Sequence, residues 1–397
     1  MSVQVPKGYK QTEVGVIPED WEVAQLEELG KFSKGRGIRK DEASSGDIAC
    51  VRYGEIYTHH HDYIRQFNSR ISKSVALTSM PIKQGDILFA GSGETKAEIG
   101  KCVAFIHKIE AYAGGDILIL SPKKDYSIFL GYLLNSPIVA KQKASKGQGD
   151  AVVHISANAL ATIKIPLPDI NEQQAIAEAL SDADALIESL EQLIDKKRQI
   201  KQGAMQELLT GQRRLPGFGG EWIQQRLGDI AHIKTGGRNN QDKVENGEFP
   251  FFVRSATVER INTFTYDCEA ILVPGEGGIG SIFHYIFGKF DVHQRVYAIT
   301  QFAGNVSGKF IYYYMKTYFG RHAMENSVKA TVDSLRLPTF QDFVVKTPSC
   351  VEEQIEITSI LSEMEQELEM LEERLQKART IKQSMMQELL TGRIRLI

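Results

Sequence analysis

The sequence predicts an α/β protein: two similar globular regions separated by two long antiparallel coiled-coil helices, arranged as a pseudo-two-fold internal repeat. Three observations carry this. Ile200 to Leu215 reads IKQGAMQELLTGQRRL and Ile381 to Leu396 reads IKQSMMQELLTGRIRL, with twelve of sixteen positions identical at an offset of 181. Ahead of each copy, apolar residues recur at alternating four- and three-residue steps, the heptad seam that winds helices together. Finally, Trp21, Leu26, Leu29, Phe32 and Gly35 register with Trp222, Leu227, Ile230, Ile233 and Gly236, so the globular regions repeat as well.

The first seam is Ile176, Leu180, Ala183, Ile187, Leu190 and Ile194, resuming at Ala204 and Leu208. The second is Ile357, Leu361, Met364, Leu368, Leu371, Leu375, Ala378, Met385 and Leu389. Each helix is expected to run about 39 residues, roughly 58 Å at 1.5 Å per residue. In the first, Glu172 to Asp195 is acidic and Lys196, Lys197, Arg198 and Lys201 follow; in the second, Glu353 to Glu373 precede Arg374, Lys377, Arg379 and Lys382. Parallel pairing sets acid against acid, whereas antiparallel pairing sets each basic end beside the other's acidic start.

In chain order, residues 1–20 read as a polar lead-in, 21–169 as the first globular region and 170–214 as the first long helix. The second region follows over 215–349, opened by the helix-breaking Leu215-Pro216-Gly217-Phe218-Gly219-Gly220, and the second long helix over 350–397. Short β-rich runs dominate both regions, with local helices expected at 127–135 and 309–318. The first region is the longer, 152 positions from Trp21 to Gln173 against 132 from Trp222 to Gln354, and the excess is assigned to loops, including the stretch from Tyr57 to Arg70.

The formal net charge is −3. The helical stretches Glu172 to Arg214 (8 acidic, 6 basic) and Glu352 to Arg395 (10 acidic, 6 basic) together carry −6, which leaves +3 on the remainder. Mildly basic regions on acidic helices are compatible with DNA binding without demanding it. The uncharged stretch Ser127 to Ala140 is too short to span a membrane, and the N-terminus shows no apolar signal segment. Four scattered cysteines support neither a disulfide framework nor a zinc ribbon, and a cytoplasmic location is expected.

The opening GYKQTEVGVIPEDWEV, the lead-in Pro168-Asp169-Ile170-Asn171-Glu172-Gln173-Gln174, its weaker counterpart Pro348-Ser349-Cys350-Val351-Glu352-Glu353-Gln354 and both ELLTG endings resemble the specificity (S) subunit of type I restriction-modification systems. The resemblance spans nearly the whole chain. It implies that each globular region is a target recognition domain reading half of a split double-stranded DNA sequence. It also implies that the helices space these domains and dock two methyltransferase (M) subunits, to which restriction (R) subunits can be added. No cofactor is implied in this chain; S-adenosylmethionine, ATP and Mg are expected on partner subunits. Recognition domains vary too much for base-contacting residues to be carried over.

The residues themselves nominate the DNA contacts. SKGRGIRK offers Lys34, Arg36, Arg39 and Lys40, and at the equivalent place KTGGRNNQDK offers Lys234, Arg238, Asn239, Asn240, Gln241 and Lys243. Arginine grips guanine O6 and N7 with two bonds and Asn or Gln grips adenine N6 and N7, while lysine meets phosphate. A second set is Arg52, Tyr53, Tyr57, Tyr63, Arg65 and Arg70 in the first region, and Arg254, Arg260, His293, Gln294 and Arg295 in the second.

Other motifs read as structure. Gly275-Glu276-Gly277-Gly278-Ile279-Gly280 is literally GxGxxG, but the aromatic, β-like SIFHYIFGKF follows where a dinucleotide site needs a helix. His59, His60 and His61 read as an exposed loop, since adjacent histidines point apart. No catalytic residue and no metal site are assigned. Two alternatives stand beside the main reading: a metal-dependent nuclease using Asp86 and Glu94, and a coiled-coil scaffold without sequence-specific DNA binding.

Overall fold

The computed structural model describes residues 5–327 and 334–396; the first residues of the lead-in and a short part of the second region fall outside it. Two compact units result, one built from residues before Glu191 with those from Arg374 onward, the other from Glu191–Glu373. Each globular region is thus combined with one segment of each long helix, Ile170–Leu208 and Val351–Leu389, both 39 residues.

The first helix starts where Asp169 Oδ1 accepts from the backbone N–H groups of Asn171 and Glu172, satisfying amides that have no partner inside the helix. Both helices stop short of their LTG glycines. Gly211 and Gly392 sit at φ +74° and +70°, and a Cβ on either would press into Trp222 or into Pro18 and Trp21. Only glycine turns the chain there without strain.

Within each unit the helix segments run antiparallel. In the first, Ile176, Ala177 and Leu180 share a core with Leu389 and Leu390, and Lys382 Nζ lies 2.7 Å from Asp184. In the second, Leu208 and Leu209 share a core with Ile357 and Leu361. There Lys197 pairs with Glu367 at 2.7 Å, Arg198 with Glu372 at 2.6 Å and Lys201 with Glu365 at 2.5 Å. The charge order therefore has the consequence read from it. Exposed pairs contribute at most about 1 kcal/mol each, so apolar burial, roughly 1.5–3 kcal/mol per large side chain, carries most of the stability. Leu190, Ile194, Leu368 and Ala378 are buried on the seam, while Ile187, Leu371 and Leu375 are half-buried.

The first globular region holds two four-stranded sheets. One is antiparallel, in the order Cys102–Ala104, Ile87–Ala90, Ile117–Pro122, Gly30–Lys34. The other runs Ser69–Ile71, Ile48–Val51, Ala111–Ala113, Met80–Ile82, with a parallel central pair. In the second region one six-stranded sheet does both jobs, in the order His232–Thr235, Val296–Thr300, Tyr266–Pro274, His284–Val292, Phe249–Phe252, Glu259–Ile261. His284–Val292 bonds antiparallel to Tyr266–Pro274 and then parallel to Phe249–Phe252. In the first region two separate short strands share these roles. At the base of each region its first strand pairs with its last, Glu22–Gln25 with Lys164–Leu167 and Trp222–Arg226 with Val344–Pro348.

The local helix at Ser127–Asn135 matches its expected limits, but its counterpart extends over Gly308–Glu325. The first region breaks at Ser136-Pro137 and restarts as Pro137–Lys146, because proline supplies no N–H to continue the ladder. The longer first region also owes its excess to more than loops: the Tyr57–Arg70 stretch begins within the helix Tyr53–Thr58 and ends in the strand Ser69–Ile71.

One polar constellation ties each region to its helix segments, and it occurs twice at the 181-residue offset. Tyr132 donates to Asp184 at 2.6 Å beside Ser181, and Tyr313 donates to Glu365 at 2.6 Å beside Ser362. Burial pushes both phenols up, and their carboxylate bonds push them further. Glu365 is pushed up by burial, yet the bonds from Lys201 and Tyr313 outweigh this and hold it below the usual carboxylate range. Buried Gln173 accepts from Tyr126 N–H and donates to the Pro168 carbonyl, just as Gln354 accepts from Ser307 N–H and donates to that of Pro348. Arg395 clasps the buried Glu172 and also Asp20; Arg214 clasps the buried Glu353 with two bonds of 2.7 Å.

Candidate nucleic-acid interface

In both units the basic loop follows the first strand of the sheet and is docked on a neighbouring turn through a glycine. A Cβ on Gly35 would lie 2.1 Å from the Gly114 carbonyl oxygen, and one on Gly236 would lie 2.0 Å from that of Val292. Backbone bonds then fix each loop: Arg36 N–H to Ala113 and Gly115 N–H to Gly37, against Arg238 N–H to Val292 and Gln294 N–H to Arg238. The two candidate loops thus share one place in the fold, and each has a turn beside it.

In the second unit this juxtaposition brings two candidate sets together. Arg238 Nε donates at 2.9 Å to Asp291, a carboxylate only 1% exposed, and Gln294 Nε2 donates to Asn239 Oδ1 at 2.5 Å. Arg254 and Arg295 both reach Glu276, at 3.4 and 2.9 Å, and Lys243 reaches Glu259 at 3.4 Å. Asn240, Lys243, Arg254 and Glu276 line an open groove of about 420 Å³. Lys234, Asn240 and Gln241 are exposed. Buried His293 accepts from Arg295 N–H on Nδ1, and burial, followed by the charges of Arg254 and Arg295, holds its pKa below the usual imidazole range. Arg260 instead spends its guanidinium on the carbonyls of Gly247 and Glu248.

In the first unit Lys34, Arg36, Arg39 and Lys40 are exposed. Tyr57 and Tyr53 line a hollow of about 520 Å³ with Ser92, Gly93 and Glu94, and burial pushes the Tyr57 hydroxyl up to about 12. Arg52 pairs with the buried Glu55 at 3.3 Å and Arg70 donates to the Asp47 carbonyl. Arg65 is committed elsewhere, to Asp184 and Glu188 of the first long helix at 3.3 and 2.5 Å. Sequence reasoning passed over Ser92, whose Oγ meets His154 Nδ1 at 2.9 Å, and Glu276, whose only signal was a place in a glycine-rich loop.

Three motifs resolve differently from one another. His60 is buried rather than exposed: its backbone N–H bonds Glu55, its ring Nε2 lacks a partner, and burial lowers its pKa to about 4. Asp86 accepts from Lys83 N–H and from Ser121 Oγ, capping a turn ahead of the strand Ile87–Ala90, whereas Glu94 lies exposed beyond the far end of that strand. The GxGxxG stretch is a turn between the strands Tyr266–Pro274 and His284–Val292, with Gly277, Gly278 and Gly280 all left-handed.

This geometry defines a class, a duplicated recognition module carried on paired helix segments. The model of the type I restriction modification DNA specificity domain matches residues 18–200 and again 220–379, and the chain belongs to that family. As a specificity subunit it is a non-catalytic component. It is 24% identical over 426 aligned residues to the putative type I restriction enzyme MjaX specificity subunit of Methanocaldococcus jannaschii, covering 98% of this chain and 97% of that one. With the MjaVIII specificity subunit of the same organism it shares 29% over 222 residues, 53% of this chain and half the length of the relative. Its fold is similar to the crystal structure of a type I restriction-modification S subunit from M. genitalium, with a TM-score of 0.67 at 16% identity over 98% of both chains. Among the described residues no helix is long and apolar enough to cross a membrane.

Proposed function

We propose that the chain reads a two-part double-stranded DNA target, one half with each globular region, and docks methyltransferase subunits, two per chain, and restriction subunits through its long helices. The observation that carries this reading is the recurrence, at one place in both regions, of a glycine-docked loop bearing arginine and lysine, joined in the second region by the amides Asn239, Asn240 and Gln241. Arginine and amide groups of this kind read base edges in the major groove. Half-sites read on one face of B-DNA lie about 34–36 Å apart. S-adenosylmethionine, ATP and Mg belong, on this reading, to the partner subunits, and the complex works in the cytoplasm.

Co-expression of the chain with its methyltransferase, followed by mapping of modified bases across a plasmid, tests the proposal. The expected motif is asymmetric and interrupted by unspecified bases. Modification independent of sequence, or confined to one continuous motif, would count against it.

A further inference from the structure

Two arginines from different elements of the second unit converge on one carboxylate. Arg254 follows the strand Phe249–Phe252, Arg295 lies in the turn ahead of Val296–Thr300, and Glu276 gives one oxygen to each. The arginine side chains are 45% and 58% exposed and the glutamate 23%. Arg254 and Glu276 line the groove that Asn240 and Lys243 also line. A carboxylate presents a guanidinium with the same kind of oxygen pair as a phosphate diester, so any DNA phosphate arriving here competes with Glu276 for the same nitrogens.

We propose that Glu276 sets the sequence-independent affinity of the second reader: it occupies Arg254 and Arg295, and a DNA phosphate gains them only by displacing its carboxylate. The inference rests on the DNA-reading function proposed above. Its physical basis is that phosphate attraction is shared by all sequences, whereas base contacts are not. An internal acid that competes with phosphate subtracts from the shared part and leaves the discriminating part intact. Among the described residues of the first unit the equivalent positions are arranged differently. Ser92 stands at the place of Glu276 and meets His154, while Arg52, at the place of Arg254, pairs within its own turn with Glu55.

The test uses the full chain in complex with its methyltransferase. Binding is titrated over a range of salt concentrations to a short duplex carrying the mapped target and to one of equal length without it. Glu276→Gln is expected to bind the non-target duplex roughly ten-fold more tightly. Its plot of log affinity against log salt should steepen by about 1 to 2, since each further phosphate that the protein neutralises adds about 0.9. The ratio of target to non-target affinity should stay as in wild type, because both duplexes gain alike, and Glu276→Asp, which keeps the charge, should retain the wild-type slope. If wild type binds and Glu276→Gln shows an unchanged slope with unchanged or weaker non-target binding, the inference is overturned alone; this includes a variant that merely loses thermal stability. A wild-type complex that binds neither duplex overturns the DNA-reading function and this inference with it.

Discussion

Replacing Arg214 with alanine is expected to destabilise the second unit by roughly 3 kcal/mol, the scale seen when one member of a buried ion pair is removed. Glu353 is only 1% exposed and receives two 2.7 Å bonds from Arg214. Without them the charge remains out of water with no side-chain partner among the described residues. The equivalent change in the first unit, Arg395→Ala, should cost less, about 2 kcal/mol, because Trp21 Nε1 still donates to Glu172 at 2.9 Å. Trp222 gives Glu353 no such help, its buried indole N–H being without a partner. Adding Glu353→Leu to Arg214→Ala should restore much of the loss, since a well-packed apolar pair often does as well as a buried ion pair. Urea unfolding followed by hydrogen exchange in 344–361 and in 164–180 separates the two units. A loss below about 1 kcal/mol for Arg214→Ala, within the range of exposed pairs, would show that the pair is solvated.

Arg238→Ala is expected to weaken target binding ten- to hundred-fold, with the loss concentrated at one base pair of one half of the target. The bond to Asp291 uses Nε and leaves the two terminal nitrogens for a second partner, and a nearly buried carboxylate behind a guanidinium fixes its plane. A bidentate grip on guanine is worth roughly 1–3 kcal/mol of discrimination, the source of the fold-change given. Arg238→Lys should keep general affinity but lose that discrimination, because an ammonium has no planar fork. Competition among duplexes varied one base pair at a time provides the measurement. Uniform weakening across all sequences, with the salt slope lowered by about 1, would instead make Arg238 a phosphate contact.

The large features were legible because they are periodic or duplicated. A heptad seam declares its own helix, and 181 residues of offset align Tyr132 with Tyr313, Asp184 with Glu365 and Arg214 with Arg395. The acid-first charge order gave the direction of pairing, and the ion pairs within each unit follow it. What the pattern could not convey is which polar residues are buried. Gln173 and Gln354 look like ordinary helix-start amides, yet each satisfies backbone groups far along the chain. His60 looked like the middle of a polar run, but the Glu55 carbonyl draws its backbone inward. Arg65 carried the same signal as the other arginines, and only tertiary packing assigns it to Asp184 and Glu188. Glu276 was unreadable because its partners lie 22 and 19 residues away in the chain, outside any local motif.

Exchanging residues 222–345 for the corresponding segment of another specificity subunit, and mapping the modified bases made with the same methyltransferase, tests most directly whether two readers act independently on one target. One half of the motif should change to that of the donor while the other half and its modified base stay as before. A change in both halves, or in neither, would contradict the account.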